Sequence, residues 1–243
     1  MSVNTRMANR EVCNLVFCEF TTKKPFLNVD YANVSTTELT GESVYANGGW
    51  GHPRVVTFYG DKGGTISFET QITPFKLYSL LTGAELETTA DWVSRKEITA
   101  TEAGKIAVGT GVTAATVFAA DDDCGVAIEG TVSGGEFSAT GIAKDAKYIA
   151  YCTEALTNVQ KLSIKSTTFP KYFTAYMETK DKTDAGEDVL FRMIAYKCAP
   201  QAEFSLEMSN NGDPGSLTVT CDLMEDTQND KKMLDMILIE GEG

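Results

Sequence analysis

The chain has one histidine, His52, and its setting, Trp50-Gly51-His52-Pro53, is a loop sequence without a chemical partner nearby. A zinc site would need ligands gathered from distant segments, and a Ser-His-Asp arrangement would need a marked serine, yet no GxSxG occurs. His52 reads as an exposed loop or interface residue. Gly60-Asp61-Lys62-Gly63-Gly64-Thr65 has the glycines and lysine of a phosphate loop in the wrong order. The residues after it, Thr65 to Thr70, alternate like a strand where a phosphate loop would open a helix, so the segment reads as a hairpin turn. Asp121-Asp122-Asp123 is followed by Cys124-Gly125, and Asp181 to Asp188 has the glycine but not the alternate-position oxygens or closing glutamate of an EF-hand, so both read as solvated turns. With 34 Asp and Glu some carboxylate pair is always at hand, so glycoside chemistry gains no support from one. This inventory predicts a protein that is not an enzyme and holds no cofactor and no metal.

The charge balance sharpens that exclusion. The net charge of −13 argues against a protein that grips nucleic acid by neutralising phosphates. With 42% hydrophobic residues in 243, the chain can build a sizeable core, near the size at which single cores begin to split. The longest aliphatic run, Met236 to Ile239, is far short of the ~18 residues of a membrane span, and the first twelve residues lack the apolar core of a signal peptide. The six cysteines include no CxxC, and Cys13, Cys18, Cys152, Cys198 and Cys221 sit in apolar or alternating runs, as small hydrophobes do in a protein folded in the cytoplasm.

The elements that must position any site are mostly strands. Glu203 to Ser209 alternates, with Phe204, Leu206 and Met208 on one face, and Ser216 to Leu223 alternates again after Asn210 to Gly215, which predicts a hairpin. Similar runs occur at 11–20, 26–35, 54–59, 65–70, 159–166, 171–179, 189–198 and 233–240. One helix is predicted at 73–83: Thr73 can cap, Pro74 fits the first helical position, Gly83 can end it, and Leu77, Leu80 and Leu81 share a face. From about Arg95 to Leu156 the residues become small and turn signals recur, which predicts a small immunoglobulin-like β module inserted into the main domain. The expected domains are residues 1–94 with 157–243, a β-sandwich with one short flanking α-helix, and the insert, 95–156. Thr36 to Pro53 is long, polar and glycine-rich, and reads as a functional loop. Glu42, Tyr45, Trp50 and His52 in it are the candidates for contact with another protein surface or another copy.

The order of parts resembles the tail tube (major tail) proteins of tailed bacteriophages. The resemblance rests on Gly64-Thr65-Ile66-Ser67-Phe68-Glu69-Thr70-Gln71-Ile72 running into the helix and Thr82-Gly83-Ala84, on Phe169-Pro170 and Ala185-Gly186, and on Phe204 to Ser209 leading through Gly212-Asp213-Pro214. It implies a protomer that stacks as hexameric rings into a hollow tube of the virion tail, made and assembled in the host cytoplasm. Its partners would be itself, a tape measure, a baseplate or terminator, a sheath in some tails, and DNA passing without specific binding, with no membrane. The long loop would reach a neighbouring protomer, and the insert would decorate the outside. From Glu203 onward ten acidic residues face two basic ones, so an acidic wall that repels phosphates is expected there. Glu203, Glu207 and Asp222 are the lumen-facing candidates. The alternative is a binding module, glycan-binding or capsid-decorating, in which Trp50, Tyr45 and His52 stack on a ligand.

Overall fold

The computed structural model describes residues 6–206, 208, 210, 212 and 214–239. The protein is mainly β, with strands β1 (Met7–Asn9), β2 (Asn14–Glu19), β3 (Pro25–Val29), β4 (Val34–Asn47) and β5 (Arg54–Thr70) before helix α1 (Phe75–Thr82). Then follow β6 (Leu86–Thr99), β7 (Lys105–Ala107), β8 (Val112–Ala119), β9 (Thr131–Ser133), β10 (Glu136–Ser138) and β11 (Lys147–Leu162). The chain ends on β12 (Phe173–Thr183), β13 (Asp188–Pro200), β14 (Leu217–Met224) and β15 (Leu234–Ile239). No helix is long and apolar enough to cross a membrane among the described residues.

The chain divides into two compact units, one made of the residues up to Ala84 and from Ile164 on, the other of Glu85–Ser163. The edges lie outside the expected 95 and 156 because β6 and β11 pair from Thr99↔Lys147 out to Leu86↔Leu162, so a cut at 95 and 156 would fall inside one ladder.

The first unit is a nine-stranded antiparallel sheet in the order β3-β2-β12-β13-β14-β5-β4, with β1 also on β12 and β15 also on β13. The sheet branches at β13, which pairs through Leu190–Ala195 with β15 and through Lys197–Pro200 with β14. It also doubles over: Phe17 of β2 stacks on Phe68 of β5 at 5.6 Å, although three strands separate them in the ladder. The expected sandwich is therefore one folded sheet. Leu15, Phe17, Val29, Phe68, Phe173, Ala195 and Cys221 point into the fold, and Leu77, Leu80 and Leu81 of α1 join the same buried cluster. Burial pushes the Cys198 thiol up to about 12, and Cys221 well above its usual value, so both behave there as hydrophobes.

The helix sits where its apolar spacing places it. Pro74 occupies the cap position, with ψ 139°, and no side chain caps the first turn, so the cap expected from Thr73 is not made. Gly83 closes the helix in the left-handed region, φ 69°, and donates to the Ser79 carbonyl at 2.9 Å. A Cβ there would lie 2.1 Å from the Phe169 carbonyl oxygen, so the position demands glycine for space as well as for φ.

The described residues of 203–208 belong to no strand, and β14 pairs instead with β5 and the end of β13. Phe204 packs on Tyr78 at 6.0 Å, so its alternation records a packing contact without a ladder. Gly60 to Thr65 is not a turn but lies inside β5. Gly64 is needed because a Cβ would come within 2.5 Å of the Glu38 carbonyl oxygen and 3.1 Å of Leu223.

The second unit has two three-stranded sheets, β7-β10-β9 and β6-β11-β8, around one core that includes Ile106, Val117, Phe137 and Ala150. Six strands make it smaller than the seven of an immunoglobulin constant-type domain. The turn at Asp121 to Cys124 is held by Asp123, which accepts from Arg95 at 3.0 Å and from the Tyr151 hydroxyl at 3.0 Å. With Cys124 and Asp123 against it, the Tyr151 hydroxyl is pushed up to about 12.

Candidate assembly interface

Thr36 to Pro53 is not a loop. Residues 34–47 and 54–70 pair as one long antiparallel hairpin, from Val34↔Glu69 to Asn47↔Arg54, and the true turn is confined to 48–53. Its register explains why the sequence hid it. Only the base is amphipathic, where Ile66 and Phe68 enter the core opposite Thr37 and Ser35. Every residue from Glu38 to Asn47 and from Arg54 to Lys62 is exposed, so no buried face imprints alternation on the arm. Ten residues beyond Thr37 at ~3.3 Å each carry the tip about 30 Å from the base.

The arm has two different faces. Opposed residues share a face, so Val44 with Phe58 and Ala46 with Val56 form an apolar side. Ser43 with Tyr59 and Tyr45 with Thr57 form the other, where the Arg54 guanidinium lies 3.9 Å from the Tyr45 ring centre. Val44 is 63% exposed, Phe58 59% and Tyr59 82%, and Trp50 at the tip is fully exposed. The tip is built rather than loose: Gly48 donates to Pro53 O and His52 to Gly49 O, with Gly49, Gly51 and His52 all at positive φ. A two-stranded ribbon with no dry side is marginal in water. The side of Val44, Ala46, Val56 and Phe58 is an apolar patch left open to water near the tip.

All four contact candidates lie on this arm: Glu42 and Tyr45 on β4, Trp50 and His52 in the turn. The valines, Phe58 and Tyr59 were missed, although Arg54 to Tyr59 carries the strand-forming residues that could have extended the reading. The lumen candidates separate. Asp222 is exposed on β14 and accepts from Gln201 Nε2 at 2.8 Å. Glu203 is exposed outside any strand, and Glu207 lies outside the described residues.

Asp222 belongs to a sheet face that the sequence did not reveal. Pairing places Asp222 beside Thr65 and Glu38, Thr220 beside Ser67 and Thr36, and Thr218 beside Glu69 and Val34, all turned away from the core. This face of β14, β5 and β4 has three carboxylates among hydroxyls and carries no lysine or arginine between Val34 and Glu38, Thr65 and Glu69, or Thr218 and Asp222. Lys197, on the neighbouring β13, is held over the Tyr172 ring at 4.6 Å. Among the described residues no group of three His, Cys, Asp or Glu side chains could hold a metal ion.

The sequence profile of the YomU/Tube protein family matches residues 10–237, nearly the whole chain and both units. The chain belongs to that family of phage tail tube proteins. No characterised protein matches it closely in sequence. Family membership identifies a structural component of the virion tail.

Proposed function

We propose that the protein polymerises as stacked hexameric rings into the hollow tail tube through which DNA is delivered. The observation that carries this reading is the hairpin arm of β4 and β5, exposed along its length and apolar on the Val44, Ala46, Val56 and Phe58 side. Burying that side against another copy removes apolar surface from water at the joint. The face of Glu38, Glu69 and Asp222 lines the lumen, where carboxylates repel phosphates and keep the duplex moving. The second unit stands on the outside of the tube. The remaining partners are other tail components, a tape measure and a baseplate or terminator, with a sheath in a contractile tail.

The charge claim is tested in virions carrying Glu38→Lys, Glu69→Lys and Asp222→Lys together. Tails of normal length with slowed DNA ejection support a lumen role. Normal ejection removes this face from the lumen.

A further inference from the structure

We propose that the hairpin tip of one copy seats in a cleft of the next copy, between β2, β4 and β13 of its first unit. The inference rests on the self-assembly reading above and names the receptor for the arm.

The cleft has a volume of about 490 Å³. Its lining is mixed: Leu15, Ile66, Met177, Phe191 and Met193 supply apolar walls among serine, threonine and asparagine side chains, and its two charged residues are Glu11 and Asp181, the latter accepting from Asn9 Nδ2 at 2.7 Å. The tip has the opposite character. From Ser43 to Gly60 the one charged side chain is Arg54, beside the single histidine and the fully exposed Trp50. An exposed tryptophan in the turn and a guanidinium over the Tyr45 ring complement a hollow with apolar walls and two carboxylates in its lining, the kind of pairing found at protein interfaces.

The tip cannot occupy its own cleft. Leu39, at the base of the arm, is part of the cleft lining, and the strand from Leu39 to Asn47 runs about 26 Å away from it at ~3.3 Å per residue. The occupant is therefore a second copy. A tip-to-cleft contact is head-to-tail, and repeated contacts of that kind close into rings or continue as filaments.

The test uses the full chain with the exposed Cys124 changed to serine. Trp50→Cys protein and Glu11→Cys protein are mixed, allowed to assemble, and treated with a short bismaleimide. Linked dimers in the mixture at ten times the level of either variant alone support the seat. In parallel, Glu11→Arg and Arg54→Glu each raise the concentration for half-assembly by about tenfold or more, and the double variant returns it to within threefold of wild type. Tubes from every variant at the wild-type concentration, without mixed dimers, overturn the cleft as receptor while leaving self-assembly intact. A wild-type protein that stays monomeric overturns both. If Trp50→Cys fails to assemble, the charge reversal and its rescue decide alone.

Discussion

Replacing Val44, Val56 and Phe58 together by serine strips the apolar side of the arm without touching the core. These residues are 63%, 47% and 59% exposed in the protomer, so about half of their burial is still to be gained on assembly. Full burial of such a side chain contributes about 1.5–3 kcal/mol; scaled by the exposed fractions, Phe58 has about 2 kcal/mol left and each valine about 1. The joint therefore loses about 3 to 4 kcal/mol, which is about 100- to 1,000-fold in association constant at 1.4 kcal/mol per decade. The expected outcome is a rise of that order in the concentration at which light scattering and sedimentation report half-assembly. The melting temperature of dilute protomer should change little, because exposed substitutions are usually within about 0.5 kcal/mol each. Assembly within threefold of wild type would show that this face is not the joint. A collapse of the melting temperature would show that the arm supports the body, contrary to its exposure.

Four further outcomes follow from the same structure. Phe17→Ala, in the centre of the first unit against Phe68 and Phe173, should cost about 3–5 kcal/mol by denaturant unfolding; a cost below 1 kcal/mol would place Phe17 outside the core. Gly83→Ala should destabilise by more than about 1 kcal/mol, the cost of the left-handed conformation alone, because its Cβ meets the Phe169 carbonyl; a neutral result would refute the close approach. Excising residues 85–163 and joining Ala84 to Ile164 by a short Gly-Ser linker should leave a first unit that folds, since Leu86 and Leu162 are paired neighbours; an unfolded product by circular dichroism would show the units to be interdependent. The Lys96 ammonium holds the Glu154 carboxyl below its usual value, and the Tyr196 hydroxyl and Lys232 do the same for Asp235. Groups so depressed add stability above their unfolded values, near 4, and lose it as pH falls through the folded ones, so the melting temperature should hold from pH 7 to 5 and drop below about 4. A melting temperature that rises below pH 4 would contradict those pairings.

What the sequence revealed follows the burial. Ser216 to Leu223 and 189–198 alternate because one face of each strand is dry, and the structure places β14 and β13 there. Leu77, Leu80 and Leu81 betrayed α1 for the same reason. The arm was illegible because a ribbon wet on both sides needs no alternation, and its glycines looked like turns. Gly64 serves close backbone approach instead, a requirement set by Glu38 and Leu223 in other strands. Phe204 misled in the opposite direction, since an aromatic packing on α1 resembles the inward residue of a strand. The acidic face was half legible: Asp222 showed on its own strand, but Glu38 and Glu69 join it only through the β14-β5-β4 register, which no local pattern encodes.

The central claim is that this chain assembles with itself through the arm into a tube. Electron microscopy of the purified full-length protein at rising concentration tests it most directly, with the Val44, Val56 and Phe58 serine variant beside it. The account predicts stacked rings with a central channel for the wild type and isolated protomers for the variant at the same concentration. Wild-type protein that remains monomeric at every concentration, or a variant that forms the same tubes, would contradict it.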